Sequence, residues 1–420
     1  MADRRPRLRG ASSAASLPVA LLLLASCGSG TTSSVGGLTT GVTELQPTEG
    51  PPERAVEASE PSRVRLALAP DPLWQWLEDS GTVAAWERSR NIRIEVTFPF
   101  DQFAAFAGGH ADVVVINALD VPKFVEQPER DPVIIGKYTQ DRSILAVRRT
   151  SRAENLEDLV ERRIAVESSL ASTLLWGLIA EARYGLDFRP GSADFDLVNV
   201  EPAGIADLVM RGDVDACICT PDFSVPYLAS GRLRPLYGGA SAAEIYAADG
   251  SDDPAESPIT DAPGGLPIAD AFVVDKEWHT RHPEAVDALL GLWEQGLEAW
   301  KLHKAQIIAD YPHHFSVESD QEIAWMTDYV GRHDWIVGSV YISDEDSATH
   351  TRTFARMHNL GLLPTDAVEP EIDLSYSREI SALEAILKPG SDGGSPEGDL
   401  DRLTTRLSTP GTGSGSGSGG

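Results

Sequence analysis

The sequence predicts an α/β protein of two lobes, with parallel-rich sheets flanked by helices and a helical C-terminal block. Three observations carry this. Apolar runs of strand length alternate with helical stretches from residue 63 to about 220, and strands separated by helices of about 10–15 residues make parallel sheets. Some of those runs, such as Ala111-Asp112-Val113-Val114-Val115-Ile116, are nearly continuous in apolar character, as buried parallel strands are. The chain has 420 residues, more than one ordinary domain needs, which favours two lobes plus tails.

Taken in order, Val64 to Ala69 reads as a short apolar strand, and Asp71 to Arg90 as a helix bearing Leu73, Trp74, Leu77 and Trp86. Ile92-Arg93-Ile94-Glu95-Val96 alternates as a second strand, and a helix around Asp101–Ala107 leads to the third at Ala111–Ile116. Ser143–Val147 continues the series. Asn155–Leu159 makes a helical turn before the strand Arg163-Ile164-Ala165-Val166, and a long helix runs from about Ser172 to Tyr184. Strand 196–200, helix 203–211 and strand Ala216–Cys219 close the block; from about His282 to Leu363 the pattern is mostly amphipathic helix.

Both ends differ from this. Arg4, Arg5, Arg7 and Arg9 precede a largely apolar run, Leu17–Ala25. That run is too short to span a bilayer, which takes about 20 apolar residues, but it suits a signal-peptide core. It ends in Leu24-Ala25-Ser26-Cys27, which resembles a bacterial lipobox, so residues 1–27 read as a lipoprotein signal peptide with Cys27 as the lipidated residue. The mature chain would then be anchored to the membrane and not span it. Residues 28–62 are rich in Gly, Thr, Ser, Pro and Glu and read as a flexible tether; residues 389–420, ending in Gly-Ser repeats, read as a disordered tail.

The chain holds 64 acidic against 35 basic residues, a net charge of −29. Such a surface argues against nucleic acid and anionic lipid as partners. Three cysteines occur. Besides Cys27 there are Cys217 and Cys219, two apart in a strand, on one face and without the turn geometry of a disulfide; both read as small buried residues.

Five signposts resemble the sulfonate, nitrate, taurine and pyrimidine-precursor group of ABC-transporter solute-binding proteins, on the type II periplasmic-binding-protein fold. They are Gly109-His110-Ala111-Asp112-Val113, Asn155–Leu159 followed by Arg163–Val166, Arg211-Gly212-Asp213-Val214-Asp215-Ala216, His282–Val286 and Leu360–Pro364. Glu161-Arg162 stand where that group usually has Gly-Lys. The resemblance implies a ligand held between two lobes joined by crossing strands, with lobe I at 63–140 plus 263–388 and lobe II at 141–262. It also implies an ABC permease and separate ATPase subunits as partners, hinge closure, and no catalysis. The mature protein is expected to be a monomer at the cell surface or in the periplasm. A pyrimidine-synthase-like enzyme or an extracytoplasmic sensor on the same fold are the alternatives.

Ligands of open parallel sheets bind beyond the carboxyl ends of the strands. That rule nominates Asp71, Trp74 and Trp76 after strand one, Phe100 and Asp101 after strand two, and Asn117 and Asp120 after strand three. In lobe II it nominates Ser168, Ser169, Ser172 and Thr173, with Thr220 and Asp222. Ser172 or Thr173 serves either as a helix cap or as a ligand contact, and Trp76 either packs or faces the ligand. The five loops hold Asp71, Asp101, Asp120, Glu167 and Asp222 and no Lys or Arg, which tips the expected ligand towards a cationic or neutral nitrogenous compound over a sulfonate-type anion. His279, His282, His313 and His314 lack the carboxylate or cysteine neighbours of a metal site. No phosphate-binding loop or nucleophile elbow is present, and no cofactor is expected.

Overall fold

The computed structural model describes residues 60–99, 101–126, 130–167, 170–248 and 267–377. The signal peptide with Cys27, most of the tether, the tail, Phe100, Ser168 and Ser169 lie outside those residues, as does the side chain of Ser172. The opening run is β1 (Ser62–Ala67), α1 (Pro72–Asp79), α2 (Thr82–Arg90), β2 (Ile92–Thr97), α3 (Gln102–Ala107), β3 (Val113–Asn117) and β4 (Pro132–Thr139). The single helix expected over Asp71–Arg90 is two, because Gly81 takes φ +75°, a left-handed conformation that ends one helix and starts the next.

The chain continues through β5 (Ile144–Arg148), β6 (Arg162–Glu167), α4 (Leu170–Tyr184), β7 (Phe195–Val200), α5 (Ile205–Arg211), β8 (Ala216–Cys219), α6 (Pro221–Ala229), β9 (Leu233–Pro235) and α7 (Ala242–Ala248). After it come β10 (Asp270–Asp275), α8 (Lys276–Arg281), α9 (Pro283–Asp310), α10 (Asp320–Arg332), α11 (Asp344–Asn359) and β11 (Glu371–Ile372). Two sheets result, ordered β11-β4-β10-β3-β1-β2 and β7-β6-β8-β5-β9. In the first, β1 runs parallel to β2 and β3, and β10 lies antiparallel between β3 and β4. In the second, β6 is parallel to β7 and β8, while β5 is antiparallel to β8 and β9.

Side chains alternate across each sheet as the strand period of two requires. On β8, Ala216 and Ile218 face a core shared with α4 and α7, whereas Cys217 and Cys219 face α5 and α6. Both cysteines are free and fully buried, as small core residues are. Val64, Leu66, Val113 and Phe272 of the first sheet pack on α9 through Leu289, Trp293 and Leu297. The C-terminal helices reach the second sheet too. Met326, Tyr329 and Val330 of α10 share a core with Val225 and Leu228 of α6, and Phe354 and Met357 of α11 pack with Leu178 and Ile179 of α4.

Two of the aspartates in the family signposts do the same structural work in the two sheets. Asp112, just before β3, accepts from the backbone N–H and the guanidinium Nε of Arg65 at 2.9 and 3.0 Å. Asp215, just before β8, accepts from the backbone N–H of Arg163 at 3.2 Å. Each carboxylate ties the amino end of one parallel strand to its neighbour, away from the carboxyl ends where ligands are expected.

Candidate ligand-binding cleft

The carboxyl ends of the parallel strands are held together by the segment between β4 and β5, residues 140–143. Asp141 and Arg142 occupy its middle. Asp141 is buried, and its Oδ1 accepts from the backbone N–H and hydroxyl of Ser143 at 3.1 and 2.7 Å. Burial still raises its pKa to about 7, helped by the nearby Glu167 and Asp270. Arg142 forms an ion pair with Asp222, Nη2 to Oδ2 at 3.2 Å, and its guanidinium lies 5.8 Å from the ring centre of Trp335. Burial pushes the Arg142 pKa down, but the carboxylates of Asp222, Asp270 and Glu167 outweigh it and hold the guanidinium above its ordinary value.

From the first sheet, Asp71 caps α1, with Oδ1 accepting from the N–H groups of Leu73 and Trp74 at 2.8 and 2.9 Å. Its other oxygen accepts from the Tyr138 hydroxyl. Burial raises the Asp71 pKa against those hydrogen bonds, and burial beside Asp71 pushes the Tyr138 phenol well up. Asn117, at the end of β3, donates to Asp270 at 3.4 Å and accepts from the Leu119 N–H at 2.9 Å. Thr139 donates to the other Asp270 oxygen at 2.8 Å.

Buried polar atoms without a hydrogen-bond partner gather here. They include Trp74 Nε1, Arg142 Nε, Thr220 Oγ1, Asp222 Oδ1 and Ser224 Oγ. Native interiors satisfy nearly all such atoms with protein or water, so these atoms are positions at which a ligand or ordered water can bond. A second group, His350 Nε2 and Thr353 Oγ1 on α11, lines a narrow pocket with Asn117, Asp141 and Leu175. Burial lowers the His350 pKa to about 4, so the ring is neutral near pH 7.

Residues 65–259 match the family described as "ABC transporter, phosphonate, periplasmic substrate-binding protein". That stretch is similar in sequence to the substrate-binding component of an ABC transporter. The fold recurs in solved structures. The alkanesulfonate-binding protein SsuA from Xanthomonas axonopodis pv. citri, bound to MOPS, is 16% identical over 75% of this chain and 99% of that one, with a TM-score of 0.56. The periplasmic aliphatic sulphonate binding protein SsuA from Escherichia coli gives 15%, 74%, 90% and 0.55. The periplasmic nitrate-binding protein NrtA from Synechocystis PCC 6803 gives 14%, 77%, 89% and 0.51. At these identities the likeness is one of fold. No curated protein sequence matches the chain. The family is extracytoplasmic, and no helix among the described residues is long and apolar enough to cross a membrane.

The fold brings some of the nominated residues together and leaves others apart. Asp71, Trp74, Asn117, Thr220 and Asp222 sit around the crossing segment or bond to residues that do. Asp101 is exposed and caps α3 through Ala104 N–H at 2.9 Å. Trp76 stacks on His303 of α9, with centroids 6.1 Å apart, so it packs between helices. Ser172 and Thr173 fall inside the first turn of α4, which begins at Leu170, so neither is the cap residue. Asp120 is half-buried just beyond β3, and its N–H donates to Asn117 O at 2.9 Å. Sequence reasoning missed Tyr138, Asp141, Arg142, Ser224, Asp270, His350 and Thr353. The available signal was a charged pair, Asp141-Arg142, between two apolar runs.

Proposed function

We propose that the protein is a substrate-binding lipoprotein that captures a small nitrogenous, preferably cationic, compound between its two sheets for an ABC importer. In this reading residues 63–140 and 263–388 form one lobe and 141–262 the other, and Cys27 carries the lipid. The observation that carries the ligand class is the charge around Arg142: one guanidinium faces Asp222, Asp270 and Glu167, with the Asp222 Oδ1 acceptor and the Thr220 and Ser224 hydroxyls unpartnered. A carboxylate about 5 Å from a bound anion opposes it by roughly 3 kcal/mol at an effective dielectric near 20. Hydroxyl hydrogen bonds of about 1 kcal/mol each do not offset two or three such repulsions. An ammonium or protonated heterocycle gains from the same charges. The protein acts by binding and release, without turnover.

A thermal-shift panel of amines, guanidinium compounds and pyrimidines against taurine and alkanesulfonates tests the ligand class. A ligand at about 100 times its dissociation constant stabilises by about 2.7 kcal/mol, well above noise. Stabilisation by a cation, weakened by Asp222→Asn, is expected. Stabilisation by sulfonates alone refutes the assignment. For the anchor, Cys27→Ala is expected to leave the protein soluble or its precursor uncut. Unchanged membrane fractionation and processing would show that Cys27 is not the lipidated residue.

A further inference from the structure

We propose that the end of the second sheet opposite the cleft holds a separate binding site for a phosphate-type oxyanion. β6 connects the two places: Glu167 ends it near Arg142, and Arg162 begins it about 17 Å away at strand rise. At that far end Arg148, Arg152 and Arg162 line one concavity of about 440 Å³, together with Thr150 and Ser151. None of these three arginines has an ion-pair or hydrogen-bond partner for its guanidinium among the described residues. Three more flank them, because the Arg149 N–H bonds to Arg232 O at 2.9 Å and Arg234 lies opposite Val147 on β9.

This is unusual in a chain with 64 acidic and 35 basic residues. Elsewhere the arginines mostly meet carboxylates, as Arg65, Arg93, Arg130 and Arg189 do. Two acids also line the concavity, but one oxygen of each already accepts from the backbone. Asp158 accepts from the Glu154 N–H at 2.7 Å, and Asp215 from the Arg163 N–H at 3.2 Å. The net charge of −29 does not decide the matter locally, since screening at physiological salt confines fields to about 8 Å.

Arg148 and the loop backbone are held in place before any ligand arrives. Gly212 takes φ +85°, and a Cβ there would lie 2.9 Å from Arg148 Nη1, so the guanidinium rests on bare backbone. Arg234 donates to Ala153 O at 2.7 Å and to Ser151 O at 3.3 Å, which fixes the loop carrying Ser151 and Arg152. Planar guanidinium forks pair two-pronged with phosphate oxygens. Three of them match a doubly charged phosphate group better than a single carboxylate.

The phosphate group belongs either to a soluble compound or to an anionic lipid headgroup, and the test separates them. Inorganic phosphate is titrated calorimetrically into the purified protein at physiological salt, and sedimentation with phosphatidylglycerol vesicles is measured against phosphatidylcholine. The proposal expects Arg152→Gln and Arg162→Gln each to weaken binding about tenfold, the triple change with Arg148→Gln to abolish it, and Arg142→Gln in the cleft to leave it intact. Both single changes are at exposed positions, so they report even if the triple variant folds poorly. Binding of vesicles with that same dependence, without free phosphate, assigns the lipid source; the converse assigns a soluble one. Loss of binding in Arg142→Gln with retention in the triple variant overturns the proposal, as does absence of binding to either probe.

Discussion

Asp141 is the residue at which protonation and structure are most directly linked. Its carboxyl is buried near Glu167 and Asp270, and burial raises its pKa to about 7 from an ordinary value of 3.8. In the unfolded chain the group ionises above about pH 4, whereas the folded protein keeps the proton to about pH 7. The stabilisation is therefore complete below the unfolded value and is lost progressively as pH rises through the folded one. Asp141→Asn keeps an oxygen to accept from Ser143 and removes the titration. Its stability relative to the parent is expected to rise between about pH 5 and pH 8, by at most about 3 kcal/mol. Denaturant melts of both proteins across that range check it, and parallel stability–pH curves would contradict it.

At the scale of elements, what could be read from the sequence divides by how local the cause is. The strands β1, β2, β3, β5, β6, β7 and β8 were legible because an apolar run or an alternating pattern is a property of the segment itself. The aspartates before β3 and β8 were legible as signposts because a backbone N–H on the neighbouring strand needs them. β4, β9 and β10 were not anticipated. β9 has only three residues, and β10 begins with Asp270, whose partners Asn117 and Thr139 lie 153 and 131 positions away. The strand-end rule nominated Asp71, Trp74, Asn117, Thr220 and Asp222 because they follow strands in sequence. It had no means of finding Arg142, which lies on the segment that crosses between sheets, or His350, which α11 delivers from the far end of the chain. The absence of Lys and Arg from the nominated loops was a correct reading of those loops, and the cation came from outside them.

For the whole molecule, the position of α10 and α11 bears on how the cleft opens. The resemblance to importer proteins implies hinge closure about the crossing segments, yet these helices touch both sheets. Tyr329 on α10 donates to Gly239 O at 2.9 Å, and His333 Nδ1 lies 3.1 Å from Glu244, both partners belonging to the second half of the fold. Trp335, just after α10, bonds through its carbonyl to the Gln140 N–H at 2.8 Å in the crossing segment itself. These contacts tie α10 and the residues after it to the second half of the fold, so moving the sheets apart has to break them. The Tyr329 hydrogen bond is worth about 1 kcal/mol, enough to shift a two-state equilibrium several-fold. Solution scattering is expected to show a smaller radius of gyration once the protein is saturated with the compound that most raises its melting temperature. Tyr329→Phe combined with His333→Ala should enlarge the ligand-free particle while leaving the saturated one unchanged, so the contraction on binding becomes greater. If the ligand-free profiles of parent and variant coincide, α10 does not restrain the hinge. If neither contracts with ligand, the two sheets do not close on it.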